Sequence, residues 1–254
     1  RIILKKIPII RRVYNSISVR ILKLINKKNF VMSFMGVNFH LNINEPIEKS
    51  IILFNYYENN QLNSVFDLIS NYRVTTFFDV GAHSGIYSLI IANKFNNIEI
   101  HSFEPVKFSF EKLNKNILIN KNVQNINTYN FGLSNSNGTL DMKAYKKNNF
   151  IQLGGFRVIN QGDKLQNNYV TKATFKKGDD YFKFKNRTIF LKIDVEGHEM
   201  NALDGFSELI KNNKIIIQVE ILPGNYEPVK RKLEKMNFYE LKKINFDYYF
   251  IKMD

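Results

Sequence analysis

From Thr75 onward the chain alternates short apolar runs with helix-patterned stretches, and no other feature narrows the fold as much. "TTFFDV" reads as a buried strand and "SGIYSLIIANKF" as a helix; "IEIHSFEP" is a strand stopped by Pro105, and "KFSFEKLNKNILIN" a helix. "INTYNFGLS" follows as a third strand and "GTLDMKAY" as an extra one. After a polar stretch come "TIFLKIDVEG" as a strand, "EMNALDGFSELI" as a helix, "KIIIQVEI" as a strand and "EPVKRKLEKMNF" as the last helix. Repeated strand–helix units bury their apolar faces as a mostly parallel sheet with helices on both sides, so a doubly wound α/β fold is expected. "YELKKI" and "DYYFIKM" close the chain as adjacent strands with a tight connection, which makes them antiparallel.

This pattern divides the chain into a lead, residues 1–72, and a sheet domain, residues 73–254, carrying an insertion at 145–180. Within the lead, "FVMSFMGVNFHLNI" predicts a hairpin with Gly36 at its turn, and "EKSIILFNYYENNQLNSVFDLISNY" reads as helical. Ahead of the hairpin, Val13, Ile17, Ile21 and Leu24 recur at helical spacing, with Arg20, Lys23 and Lys27 on a neighbouring face. Such a basic helix suits an anionic membrane surface; packing on its own domain or on a partner subunit is the competing reading.

Net charge is +14, which invites a nucleic-acid or membrane partner, but Asn, Lys and Ile abound everywhere, as a codon bias alone would produce. With 254 residues, 44% of them hydrophobic, a large core is available. The absence of cysteine excludes disulfides, thiolate zinc sites and a cysteine nucleophile. No apolar run approaches the length of a membrane-spanning helix, so a cytoplasmic protein, peripheral on the inner face of the membrane through its basic helix, is expected. The chain begins at Arg1 rather than Met, which leaves a preceding targeting segment open.

In open parallel sheets the ligand crevice lies beyond the carboxyl ends of the strands. "FFDVGAHSGIYSL" sits at such an end: Asp79 finishes a strand, and Gly81 and Gly85 bracket the turn into a helix. Gly81 is expected to let the backbone approach a ligand, and Gly85 to pack helix on strand. A dinucleotide loop would carry a central glycine where His83 stands, and Asp79 would repel a pyrophosphate, so a nicotinamide dehydrogenase is disfavoured. The loop instead suits a ligand that is cationic or zwitterionic there, such as the amino-acid end of S-adenosylmethionine. Glu104 ends the second strand, where an acid can bind both ribose hydroxyls.

"FFDVGAHSGIYSLIIA", "HSFEPV", "NFGLSNSNG" and "LKIDVEGHEMNALDGF" resemble, in order and spacing, the FkbM-type methyltransferase family, with "NYYENN" matching a tyrosine–glutamate element before the core. The resemblance spans about Val31 to Ile221. It implies a class I, Rossmann-like methyltransferase fold with an antiparallel closing strand, S-adenosyl-L-methionine as cofactor, and methylation of hydroxyls on sugars or polyketide-like products. Asp79, Gly81, Ala82, His83, Gly85, Ser88, Glu104, Pro105, Gly132 and Asp194 are the cofactor contacts implied at the matching positions. The chain departs from the family at His83-Ser84, where an Asn and an aliphatic residue are usual, and at "KGDD", where Leu-Asp precedes the insertion helix.

Methyl transfer from a sulfonium needs a positioned acceptor and a group that takes the hydroxyl proton. In "LKIDVEGHE" the apolar Leu191, Ile193 and Val195 alternate with Lys192, Asp194 and Glu196, so the acids share one side of the strand. Asp194 or His198 is the expected base, with Asp194 better placed, and Glu220 a third acid at the same edge that could orient the acceptor. Glu199 reads as a helix N-terminal charge. Convergence of Asp194, His198 and Glu220 on a divalent cation is conceivable, but no spacing demands a metal and none is assigned. His40 and His101 read as structural, and Phe150, Phe156, Tyr169 and Phe175 in the insertion as stacking surfaces for sugar rings or as pins for a long loop. The function expected is O-methylation of a small-molecule or glycan acceptor. A nucleic-acid methyltransferase is the alternative, disfavoured because the positive charge gathers at the N-terminus, and a non-catalytic membrane adapter is the other. An oligomer is left open.

Overall fold

The computed structural model describes residues 27–147 and 150–252. The basic helix expected near residues 13–28 therefore lies, except for Lys27 and Lys28, outside the described residues. The central sheet has the order β13-β14-β12-β11-β3-β4-β5. Its strands are β3 (Thr76–Val80), β4 (Glu99–Phe103), β5 (Ile126–Tyr129), β11 (Thr188–Ile193), β12 (Lys214–Glu220), β13 (Phe238–Ile244) and β14 (Asp247–Lys252). Neighbours pair in parallel except around β14, which runs antiparallel to both β12 and β13. The doubly wound sheet with an antiparallel closing strand is thus as expected, and β13 is bulged between Glu240 and Lys242.

Successive residues on the central strands are buried on opposite faces, which is why those strands read as unbroken apolar runs. Phe77, Phe190, Ile216 and Tyr249 enter one core cluster, while Phe78, Leu191, Ile217 and Phe250 enter the other. Phe78 lies at the centre of the second, 5.8 Å from Phe103 in a stack and 5.1 Å from Phe182 edge-on. His101 stacks on Phe78, its Nδ1 lies 3.0 Å from the Tyr129 hydroxyl and its Nε2 3.1 Å from Glu99, a structural role as expected.

The lead covers the first face. β1 (Asn29–Phe34) and β2 (Val37–Asn42) form the expected hairpin, and Met35 and Gly36 both take positive φ at its turn. The long lead helix is in fact two, α1 (Pro46–Phe54) and α2 (Asn59–Tyr72), because Asn55 turns left-handed after α1 and Glu58 before α2. The outer edge of β2 is closed by one side chain of α4 (Lys107–Leu118) and one just beyond its end. Asn116 Oδ1 accepts from the His40 N–H at 2.8 Å, and Asn120 Oδ1 accepts from the Asn38 N–H at 2.9 Å. Asn116 Nδ2 also donates to the Ser84 carbonyl at 2.8 Å, which ties the hairpin to the loop after β3.

The stretch expected as a polar insertion contributes strands to a second sheet. β7 (Gly138–Lys147) pairs antiparallel with β10 (Asn168–Lys176), and β6 (Gly132–Leu133) pairs parallel with β10. "INTYNFGLS" is therefore not one strand: β5 ends at Tyr129, and Gly132–Leu133 joins the second sheet. The inner side of that sheet, with Met142, Ala144, Phe156, Ala173 and Phe175, packs on Val106. "EMNALDGFSELI" likewise divides at Phe206 into α6 (Glu199–Gly205) and α7 (Ser207–Lys211), and Asp179 of "KGDD" caps α7 by accepting from the Glu208 and Leu209 N–H groups at 2.9 Å. No helix among the described residues is long and apolar enough to cross a membrane.

Candidate active site

Beyond the carboxyl ends of β3, β4 and β11 lies a cavity partly open to solvent. The strand ends supply a polar wall that includes Asp79, Glu104, Lys192 and Asp194, and the second sheet an apolar wall that includes Met142, Phe156, Val158 and Phe175. Ile47 and Tyr57 of the lead face the same space.

Asp79 is 1% exposed. Its Oδ2 accepts from the Ser88 hydroxyl at 2.6 Å and the Ser88 N–H at 3.2 Å, while Oδ1 has no hydrogen-bond partner. Burial raises its pKa, against the pull of Lys192 and Ser88. Glu104 is buried as well and accepts from the His83 N–H at 2.9 Å and the Val106 N–H at 2.8 Å. Desolvation nonetheless pushes its carboxyl up to about 7. His83 takes a left-handed backbone (φ +49°), its ring Nε2 has no partner, and burial drives the imidazole down to about 4, so it is neutral.

Asp194 follows β11 directly and is held in place by its own N–H, which donates to the Val80 carbonyl at 3.0 Å. Burial works against its charge, but the Lys192 ammonium at 3.1 Å, helped by hydrogen bonding from Glu220, keeps the carboxyl below its ordinary value. In Glu220, burial and the Asp194 charge push the carboxyl up to about 9, so it carries the proton of this pair. His198 sits edge-on to Phe175, its Nε2 lies 3.0 Å from Ser134 Oγ, and burial lowers its pKa. Glu199 accepts from the Gly197 N–H at 2.7 Å at the start of α6.

The wall therefore contains Asp79, Gly81, Ala82, His83, Glu104, Pro105, Gly132, Asp194 and His198 of the residues expected at the site. Gly85, Ser88 and Glu220 do not reach it. Ser88 instead orients Asp79, Glu220 bonds Asp194 rather than facing an acceptor, and a Cβ on Gly85 would overlap Leu113 of α4. Gly81 makes room not for a ligand but for the Asp194 carbonyl, which a Cβ there would overlap. Among the described residues no three His, Cys, Asp or Glu side chains are disposed to hold a metal ion. Asp194 and Glu220 pair with each other, while His198 turns to Ser134.

Lys192 escaped the sequence reading, although a charged residue between Leu191 and Ile193 in a buried strand was a visible signal. It is 4% exposed, and its ammonium lies 4.7 Å above the Tyr87 ring. Tyr57 belongs to the "NYYENN" element that the resemblance marked, but only the folded lead shows that it stands over the strand ends.

Two features of this wall fit an adenosyl sulfonium. The unpartnered Asp79 Oδ1 offers a charge partner for an amino group, and Glu104 has lone pairs left for a diol beyond the two backbone bonds it accepts. A doubly wound sheet with one antiparallel closing strand, ending in this acidic crevice, is that of a class I methyltransferase dependent on S-adenosylmethionine. The chain belongs to the FkbM methyltransferase family: the family model described as Methyltransferase FkbM domain matches residues 79–248. The match takes in most of the closing strands and starts after the lead. Among curated proteins the chain is similar to Methyltransferase sdnD of Sordaria araneosa, 24% identical over 191 residues, covering 63% of this chain and 72% of that one. It is also 24% identical over 183 residues to Methyltransferase 1 of Beauveria bassiana, covering 63% and 70%. Among solved structures it aligns with a human methyltransferase 10 domain containing protein (TM-score 0.48, 12% identity, 94% of each chain). It aligns too with a Synechocystis magnesium protoporphyrin IX methyltransferase (TM-score 0.46, 11% identity, 82% and 84%).

Proposed function

We propose that this methyltransferase methylates a hydroxyl of a sugar, glycan or glycoconjugate, with Asp194 taking the proton. The observation that carries this reading is that an ionised Asp194 shares one cavity with Asp79 and Glu104. In it, Asp79 faces the amino group of the cofactor and Glu104 its ribose diol, with Ala82, His83, Pro105 and Gly132 lining the rest. S-adenosylmethionine supplies a methyl group on a cationic sulfur. With that methyl group supplied in line with the acceptor hydroxyl, Asp194 would accept the hydroxyl proton. The protonated Glu220 steadies the Asp194 charge beforehand, and His198, turned to Ser134, shapes the wall. Phe156 and Phe175 offer flat apolar surface of the kind sugar rings stack on.

A nucleic-acid acceptor suits this crevice less, since its lining sets Asp79, Glu104, Asp194 and Glu196 against the one lysine Lys192 and disfavours phosphate. The basic N-terminal segment suits an anionic membrane surface, which favours a peripheral enzyme acting on membrane-borne glycans.

Calorimetry with S-adenosylmethionine on the wild type and Glu104→Ala tests the cofactor contacts; equal affinities would remove the ribose assignment. Transfer of labelled methyl groups to a panel of glycosides and to RNA and DNA oligonucleotides tests the acceptor class. Labelling of the oligonucleotides alone would overturn it.

A further inference from the structure

A single ammonium under the floor of the cavity is bound to acids of two strands. Lys192 rises from β11 and places Nζ 3.1 Å from Asp194 Oδ2 and 3.9 Å from Asp79 Oδ1, the oxygen that lacks a hydrogen-bond partner. The lysine is 4% exposed, and a buried ammonium is retained only when its surroundings repay the lost hydration. Those surroundings are Asp194 after β11, Asp79 on β3, Tyr87 on α3 (Ile86–Lys94), Glu58 on the lead and Asp247 on β14, with Glu220 on β12 and the neutral His83 of the cofactor loop also facing the ammonium. Glu58 accepts from the Tyr87 hydroxyl at 2.7 Å, and Asp247 is bonded by Gln218 at 2.7 Å and Gln61 at 3.2 Å, so these outer acids are anchored by neutral donors. Direct ion pairing of Lys192 within 4 Å goes to Asp79 and Asp194.

We propose that Lys192 is a positioning residue, whose ammonium tethers the cofactor-side Asp79 and the acceptor-side Asp194 at once and presents Asp194 to the cavity as an aimed carboxylate. One charge then sets the spacing between the two halves of the reaction. A neutral side chain of similar length could fill the volume but would leave Asp194 free to draw on the proton that Glu220 carries. Arginine would keep the charge and two donors for the two acids. The inference rests on Asp194 as the proton acceptor.

The test is the titration of Asp194 in full-length protein labelled with carboxyl ¹³C-aspartate, its signal assigned by its loss in Asp194→Asn. In Lys192→Gln the Asp194 acid constant is expected to weaken about tenfold or more, the loss expected when a cation leaves a carboxylate's immediate shell. Lys192→Arg is expected to restore most of it. A merely structural lysine would lower the melting temperature in both variants and leave the Asp194 titration where it was; that result overturns the proposal. Should Lys192→Gln not fold, Asp79→Asn/Lys192→Gln removes both members of the buried pair and gives the same reading. The base assignment fails separately: labelled methyl transfer that survives Asp194→Asn would dismiss Asp194 as base while the titration result stands.

Discussion

The carbonyl oxygen of Asp194 occupies the place where a side chain on Gly81 would begin. The cofactor loop after β3 and the reactive end of β11 are thus in backbone contact, made possible by one missing Cβ and a φ of +88°. Asp194 N–H donating to the Val80 carbonyl at 3.0 Å fixes the same junction from the other side.

Gly81→Ala is expected to destabilise the protein by about 3 kcal/mol or more, combining backbone strain with overlap of an immovable main chain. Gly138→Ala, at a glycine with nothing within 4 Å, is the matched control and should stay within about 0.5 kcal/mol. Urea unfolding of both variants checks the contrast.

A Cβ on Gly132 would press into the Phe175 ring at the cavity wall. Gly132→Ala should therefore cost about 1–3 kcal/mol as an overpacked site and weaken S-adenosylmethionine binding. Phe175→Leu in the same chain should recover part of both losses, a non-additivity that a double-mutant cycle measures.

Asn116 satisfies the His40 N–H and the Ser84 carbonyl together and is wholly buried. Asn116→Ala leaves both without that partner, for an expected loss of about 2–3 kcal/mol in thermal or urea unfolding.

Cofactor affinity should depend on Glu104, whose carboxyl sits near 7 instead of its ordinary 4.5. A ribose diol donates to the ionised form, so binding below pH 7 must release a proton. Affinity is then expected to fall about tenfold per pH unit on the acid side of 7. Calorimetry in buffers of different ionisation heat reads the proton directly, and Glu104→Gln should abolish it.

The ligand-free protein should lose stability as pH rises from 6.5 to 9. Glu45, Glu58, Glu104 and Glu196 are raised to about 7 and Glu220 to about 9, chiefly by burial, so the folded state holds protons that the unfolded chain has already lost. Their contribution is full below the ordinary value of 4.5 and disappears as pH climbs through these raised values. Below 6.5 the buried neutral His83 works in the opposite sense, since the unfolded chain would take up its proton first. Melting temperatures at fixed ionic strength across this range show the trend or its absence.

Local sequence determined the central sheet. Runs such as "TTFFDV" and "TIFLKI" can be satisfied only by strands buried on both faces, and the acids that end them fall at the crevice because strand ends in a parallel sheet have nowhere else to lie. Asp79, Glu104 and Asp194 were legible for that reason. What only the tertiary structure decided was the company these acids keep. Period-two alternation shows that Lys192 and Asp194 share a face, but not that Asp79 of the next strand stands within reach of the same ammonium, which depends on inter-strand register. Gly81 looked like room for a ligand, because a sequence records a missing Cβ without recording what fills its place. In the second sheet β7 was legible as a strand but β10 was hidden in the same way: it pairs with β7 and β6 across long separations, and its polar outer face reads as a loop until its partners supply the hydrogen bonds.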